Sequence, residues 1–467
     1  MANKSSVQDM GSGSVPRLML GLAIPAVVAQ LINMLYNIVD RIYIGHIPGA
    51  GASALTGVGL FLPILMMINA FAMLAGSGGA PRAAIAMGKN DRAQAQKILG
   101  NCFSVLMIFA VLLTVSFYIF APQLLRLFGA SSVTLPYALS YARIYILGTV
   151  FVMVVMGLNP FITTQGFARF SMATTVVGAV CNIILDPILI FGFGMGVRGA
   201  AVATVISQAV SAVWVVSFLK GRRTLLRLTL PDMKIVPEII LPCLGLGIST
   251  FVMLSTESIL NISFNSSLSR YGGDVAVGAM TIISSCSQLI TLPIQGICQG
   301  GQPIMSYNYG AGKKERVKRA FICQFTACTG FATVMWLLMM LMPGMFANIF
   351  SSDASLVEYT VWAMRIYMAG IFSTGVQVSC QQTFMALGQA KISLLMACLR
   401  KLVLLIPLIF VLPFLFSNKV FGVFVAEPVS DILAASVTGF MLFSRLGRIL
   451  DSPAGVNGMG QGSRRDK

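Results

Sequence analysis

The sequence predicts an all-α integral membrane protein of twelve transmembrane helices arranged as two parallel six-helix repeats. Three observations predict it. First, only 10% of the 467 residues are charged, 57% are hydrophobic and the mean hydropathy is +0.85. A soluble domain needs roughly 25% charged residues to cover its surface. Second, apolar runs of about 20 residues, each long enough to cross the hydrocarbon of a bilayer, recur along the whole chain. Third, the chain repeats itself about 222 residues further on. Arg143-Ile144-Tyr145 followed by Gly148 returns as Arg365-Ile366-Tyr367 followed by Gly370. Gly166-x-Ala168-Arg169-x-Ser171 returns as Gly388-x-Ala390-Lys391-x-Ser393, and Pro81 with Gly88 returns as Pro303 with Gly310. One offset shared by three separate pairs is the mark of a long internal repeat.

The spans are expected at approximately 17–45, 53–80, 98–122, 136–161, 171–193 and 199–219 in the first half. The second half gives 238–264, 275–300, 319–342, 356–382, 392–416 and 424–446. The run from Leu18 onward is too long for a cleavable signal core and lacks a small-residue cleavage site, so it is expected to be the first retained helix.

Loop charge sets the orientation. Lys and Arg concentrate in alternate loops, as in Arg82 to Lys97, Lys220 to Lys234, Lys313 to Arg319 and the tail from Arg445. The loops between carry little beyond Arg126, Arg198, Arg270 and Lys419. By the positive-inside rule both termini are expected to be cytoplasmic, in a multi-pass protein of the inner (plasma) membrane. The most basic connection, 220–237, falls midway. The chain therefore divides into an N-terminal lobe at 1–219, a basic cytoplasmic linker at 220–237, a C-terminal lobe at 238–446 and a flexible tail at 447–467. Six helices per lobe make both lobes enter the membrane in the same direction. Two such bundles about a shared central site form the architecture of a secondary transporter.

Other classes are disfavoured. The net charge of +17 lies in loops, without an aromatic-interleaved patch or a folded module to read bases, so no nucleic-acid partner is expected. The nine cysteines form no CxxC pair, and the single His46 completes no zinc site, so no metal or other cofactor is expected. No GxxxxGK[ST] loop is present for nucleotide, and no constellation supports an enzyme.

Intramembrane ionisable residues are costly and thus functional candidates. Three acids qualify: Asp40 in helix one, Asp186 in helix five and Glu257 in helix seven. Tyr36 and Asn33 precede Asp40 by four and seven residues, Asn182 precedes Asp186 by four, and Thr204 shares a face of helix six with Gln208. Together these form an oxygen-rich cluster in the first lobe that suits a proton or a small hard cation such as Na+. Two carboxylates close together in low dielectric resist being charged at once. The plainer alternatives stay open: Asp40 could pair with the adjacent Arg41 at a wetted helix end, and Asp186 precedes Pro187, a site for a simple packing kink. Glu257 sits in the polar run Ser255-Thr256-Glu257-Ser258, opposite Asn33 in the repeat, and is a candidate substrate residue of the second lobe, with Asn33 and Gln208 as further substrate candidates. Glu427 and Asp431 in helix twelve give a weaker signal, and the basic residues read as interfacial or loop residues. A monomer is expected, with membrane lipids around it.

The chain resembles the MATE (multidrug and toxic compound extrusion) family over residues 15–446. The resemblance rests on the two six-helix halves, Val39-Asp40 followed by Tyr43-Ile44-Gly45, the run Asn182-x-x-x-Asp186-Pro187, and Gly199-Ala200-Ala201-x-Ala203-Thr204. It implies a V-shaped antiporter that expels organic cations against inward H+ or Na+. It further implies that the coupling ion is held at Asp40, Asn182, Asp186 and Thr204 with Tyr36 nearby. Other relatives stress a glutamate matching Glu257 and an acid in helix ten; here helix ten offers only Glu358, near its outer start, so coupling is assigned to the first lobe. The runner-up reading is a lipid-linked precursor flippase of the same superfamily, which would call for several arginines or lysines in the cavity.

Overall fold

The structure, a computed structural model, describes residues 10–49, 51–350 and 353–451. Every regular element among them is helical. In lipid each backbone N–H and C=O must be satisfied within its own segment, which is what a helix does. In order, α1 is Val15–Gly45, α2 Gly51–Gly88 and α3 Arg92–Leu127. α4 is the bent pair Leu135–Leu147 and Thr149–Thr164, α5 is Ala168–Pro187 continued by a π turn at Ile188–Gly192, and α6 is Val197–Lys220. The helix Pro237–Gly310 is broken at Gly273 by φ 65° and ψ −162°, giving α7 before the break and α8 after it. α9 is Lys314–Leu341. α10 runs from Ala354 to Ala386 through a 3-10 stretch at Met368–Ser373, and α11 from Ala390 to Leu415 through a π stretch at Leu399–Leu405. α12 is Lys419–Asp451.

Nine described helices are long and apolar enough to span a bilayer by themselves, and the bent pair of α4 is a tenth. With the helix broken at Gly273 counted as two segments and α10 added, the described residues supply the twelve segments expected. The chain is a multi-pass membrane protein.

The repeated sequence signals mark repeated structural breaks. Gly148 sits where α4 bends by 57°, and a Cβ there would lie 2.7 Å from Val205 of α6. Its counterpart Gly370 lies in the 3-10 stretch of α10, where a Cβ would lie 2.7 Å from Pro428 of α12. Gly166 and Gly388 both take positive φ, 90° and 71°, to end α4 and α10, which a side chain would strain.

The chain divides into two compact units, one of Ile24–Gly247 and one of Met10–Ala23 with residues 248–451. This differs from the expected division at 219. Residues 220–237 are not a free linker, because unit 1 straps them down. Gln165 Oε1 accepts from the Thr224 hydroxyl at 2.7 Å and from the amides of Leu225 and Leu226 at 2.8 and 3.0 Å. Asn101 Oδ1 accepts from the Val236 amide at 2.7 Å, and Gln96 donates to Asp232 at 2.8 Å. The first turns of α7 then pack on α2, where a Cβ on Gly247 would meet Leu74 O at 1.8 Å and one on Gly78 would meet Cys243 O at 1.9 Å. Such close backbone approach is how small residues bind helices together in lipid.

Unit 2 is completed in the same way by the start of the chain. A Cβ on Gly300 of α8 would lie 2.5 Å from Ala23 Cα. Asn308 donates to Met10 O at 2.9 Å, and Arg316 donates to Met10 O and Gly13 O at 2.9 and 2.8 Å. Residues 447–451 of the expected tail are helical. α12 stays helical to Asp451, which pairs with Lys314 at 2.7 Å; residues 452–467 lie outside the described residues.

Candidate functional site

The oxygen-rich cluster forms in unit 1, and small residues make it possible. Along α6, Gly199, Ala200, Ala201 and Ala203 are buried, and a Cβ on Gly199 would lie 2.7 Å from the Leu189 carbonyl in the π turn of α5. This approach brings Thr204 against α5. Asn182 Nδ2 then lies 3.4 Å from Thr204 Oγ1 and donates to Asp186 Oδ1 at 3.2 Å. Thr204 returns its own proton to Ala200 O at 2.9 Å. Asn182 and Asp186 are almost fully buried, at 2% and 0% exposure.

From α1, the Asp40 carboxyl comes within hydrogen-bonding reach of Asp186, and Tyr36 lies within electrostatic reach of both acids. Asp40 forms no ion pair with Arg41 among the described residues. Three buried oxygens in this cluster have no hydrogen-bond partner: Asp40 Oδ1, Asn182 Oδ1 and Asp186 Oδ2. Buried polar atoms are nearly always satisfied, and the exceptions call for an explanation. All three are acceptors, so they suit a proton or a cation rather than another acceptor. Pro187 follows Asp186 directly, removes one backbone donor and leads into the π turn, a helix irregularity often found at functional sites.

Sequence reasoning missed two members. Tyr141 and Tyr145 of α4 wall the cluster, both 5% exposed. Tyr141 lies close to Thr204 and within electrostatic reach of Asp40. Phe61 of α2 holds both rings edge-on, with centroids 5.5 and 5.1 Å away. Their signal was present: Tyr137, Tyr141 and Tyr145 recur every four residues, a polar-tipped stripe on one helix face.

The other candidates fall outside this cluster. Asn33 and Gln208 are half-buried in unit 1, each one turn from a cluster residue, and among the described residues neither side chain hydrogen-bonds to the carboxyls. Glu257 belongs to unit 2, where Lys401 of α11 takes its carboxylate. Lys401 and its neighbour Arg400 correct the expectation that basic residues stay at interfaces and loops, since both lie mid-helix and are 11% and 14% exposed. None of the described residues forms a group of three or more His, Cys, Asp or Glu suited to a metal ion.

A family model, MatE, matches residues 25–188 and again residues 249–411, the two halves of the repeat. The chain belongs to the MATE family. It is similar to the multidrug export protein MepA of Staphylococcus saprophyticus, with 26% identity over 93% of this chain and 95% of that one. The protein of the same name from Staphylococcus haemolyticus is 25% identical over 93% of this chain and 95% of that one. A MATE crystallised in a bent conformation superposes with a TM-score of 0.90 at 25% identity, covering 96% of this chain and 99% of that one. An outward-facing multidrug resistance MATE transporter of the MOP superfamily gives 0.89 at 24% identity, covering 97% of this chain and all of that one. This MATE chain thus carries its buried acid pair within the first matched stretch.

Proposed function

We propose that this chain is a secondary active multidrug exporter, carrying organic, lipophilic cations out of the cell against inward H+ or Na+ by alternating access. The observation that carries the reading is the trio of partnerless acceptor oxygens on Asp40, Asn182 and Asp186. Two carboxyls within reach of one another cannot both stay charged in a low dielectric without a cation between them or a proton on one. A proton bridging Asp40 and Asp186 serves one oxygen of each carboxyl and leaves only the Asn182 carbonyl. A Na+ held by the carboxylates, the Asn182 carbonyl and Thr204 satisfies all three, since a hard cation takes oxygen ligands.

Occupancy changes the charge beside Pro187, which lacks a backbone donor, and the π turn that follows it. An ion that binds one arrangement of unit 1 better than another shifts the balance between them by its differential affinity. The names of the Staphylococcus relatives support multidrug export as the task. The loop charges support a cell-membrane location with both termini cytoplasmic.

The flippase alternative needs free cationic side chains for an anionic head group. Arg400 and Lys401 are each committed to carboxylates, so the structure gives that reading no support.

The test is uptake of a fluorescent lipophilic cation into inverted vesicles under separately imposed, outwardly directed H+ and Na+ gradients. Wild type is compared with Asp40→Asn and Asp186→Asn. Gradient-driven transport that collapses in both variants is the expected result. Transport that survives both substitutions removes the coupling site from unit 1.

A further inference from the structure

Unit 2 holds an ionisable cluster of its own, built by the π stretch of α11. That stretch carries Arg400 and Lys401 as consecutive residues committed to different helices. Arg400 turns to α12, where its Nε and Nη2 lie 2.9 and 2.8 Å from Asp431 Oδ1. Lys401 turns to α7, pairing with Glu257 and donating to the Met253 carbonyl at 3.2 Å. Thr374 of α10 reaches the second oxygen of Asp431 at 3.5 Å.

The charges do not balance. Two bases face three acids, so one carboxyl is surplus. Asp431 is 4% exposed and takes both near nitrogens of Arg400. Glu257 has Lys401 and is 48% exposed, so water or a bound cation can serve its open side. Glu427 is left over. Its nearer oxygen stands 3.6 Å from an arginine already engaged by Asp431, its side chain is 13% exposed, and its Oε2 is buried without a partner. An unneutralised carboxylate buried at membrane depth is expensive.

A second feature concerns what such a charge would act upon. Glu427 directly precedes Pro428 within α12, as Asp186 precedes Pro187 within α5. Pro428 is also the residue against which Gly370, in the 3-10 stretch of α10, packs most tightly. The surplus acid thus lies beside the contact between the 3-10 stretch of α10 and a proline within α12. Both Glu427 and Asp431 lie beyond the stretches matched by the family model.

We propose that Glu427 is a proton-binding site in unit 2, separate from the Asp40–Asp186 pair. A proton taken from water onto its carboxyl leaves Arg400–Asp431 and Lys401–Glu257 as two neutral pairs. Release of that proton restores one negative charge next to Pro428 and the break of α10. The groups that face Glu427 and set its titration are Arg400 and Lys401 from α11, Glu257 from α7, Tyr367 from α10, and Asp431 on its own helix.

The experiment is an infrared pH titration of the purified full-length protein, following the carbonyl stretch of protonated carboxyl groups. It compares wild type, Glu427→Gln and the double variant Asp40→Asn/Asp186→Asn. A carboxyl signal that persists in the double variant and falls by one group in Glu427→Gln is the expected result. A Glu427→Gln spectrum identical to wild type overturns the proposal. So does a residual signal that disappears in Asp431→Asn or Glu257→Gln instead. Should Glu427→Gln fail to give a monodisperse protein, Glu427→Asp keeps the carboxyl on a shorter stem; its band must shift, and an unmoved band rejects the assignment. Efflux by the double variant reports on the unit 1 coupling site separately, so the two ideas can fail independently.

Discussion

Asn182 and Asp186, one turn apart on α5, are joined by a hydrogen bond of 3.2 Å that leaves one oxygen of each without a partner. The bond fixes the amide so that its nitrogen serves Asp186 and faces Thr204 while its carbonyl oxygen stays available to accept. A rigid acceptor set of this kind is preorganised for a cation, because little ordering is left to be done when the cation arrives.

Thr204 tests that arrangement. Thr204→Val keeps the shape and removes the hydroxyl, costing about 1 kcal/mol, the size of one hydrogen bond. The apparent affinity for the coupling ion should fall about fivefold, with the rate at saturating gradient changed less. Thr204→Ser should keep wild-type affinity. Efflux measured against graded H+ or Na+ reads both; equal affinity in all three proteins would remove Thr204 from the site.

Gly199 tests the helix contact that builds the cluster. A Cβ there meets the Leu189 backbone at 2.7 Å, so Gly199→Ala must push α5 and α6 apart. Overpacking of this kind costs about 1–3 kcal/mol. Gly245, inside α7, has nothing within 4 Å of its Cβ position. Gly245→Ala should stabilise by about 0.5–1 kcal/mol through helix propensity. Thermal unfolding of the detergent-solubilised proteins should therefore move in opposite directions for the two alanines.

The two cations of α11 should differ in structural importance. Arg400→Met strands Asp431, which is 4% exposed, and should destabilise by about 3–5 kcal/mol, the cost of an unpaired buried charge. Lys401→Met strands Glu257, which is 48% exposed and can be hydrated, so the loss should be smaller. Thermal unfolding of both variants decides the order. A Lys401→Met protein as unstable as Arg400→Met would mean that Glu257 is less accessible to water than its exposure indicates.

Gln165 holds the 220–237 segment through one oxygen that accepts three hydrogen bonds. Gln165→Leu deletes that acceptor, whereas Gln165→Glu retains it. Arg222 and Arg223 are exposed within this segment. Limited trypsin digestion should cut there several times faster in Gln165→Leu than in wild type. Similar rates in both would show that the apolar anchors Leu226 and Leu228 suffice.

Much of the unit 1 site was legible because its signals are local. An acid in an apolar run is conspicuous, and Asn182 lies four residues from Asp186, so one helical turn aligns them without knowledge of the fold. Gly148 and Gly370 were visible as a repeat before their breaks in α4 and α10 were known. Arg400 and Lys401 were not understood in this way. Nothing in the residues around them states that one turns to α12 and the other to α7, nor that Glu257 already has a cation. Tyr141 was missed for the same reason, since its role depends on α4 lying beside Thr204 of α6.

The sequence by itself determined the membrane class, the doubled six-helix plan and the identity of the buried acids. Those properties follow from hydropathy and helical periodicity, which act over a few turns of chain. Only the tertiary structure decided which acid meets which partner, that residues 220–247 complete unit 1, and that Glu427 is left without a full counter-charge. Those outcomes depend on close backbone contacts at Gly78, Gly247 and Gly300 between helices remote in sequence. In lipid, such packing is governed by fit between whole helix faces, which no local pattern encodes.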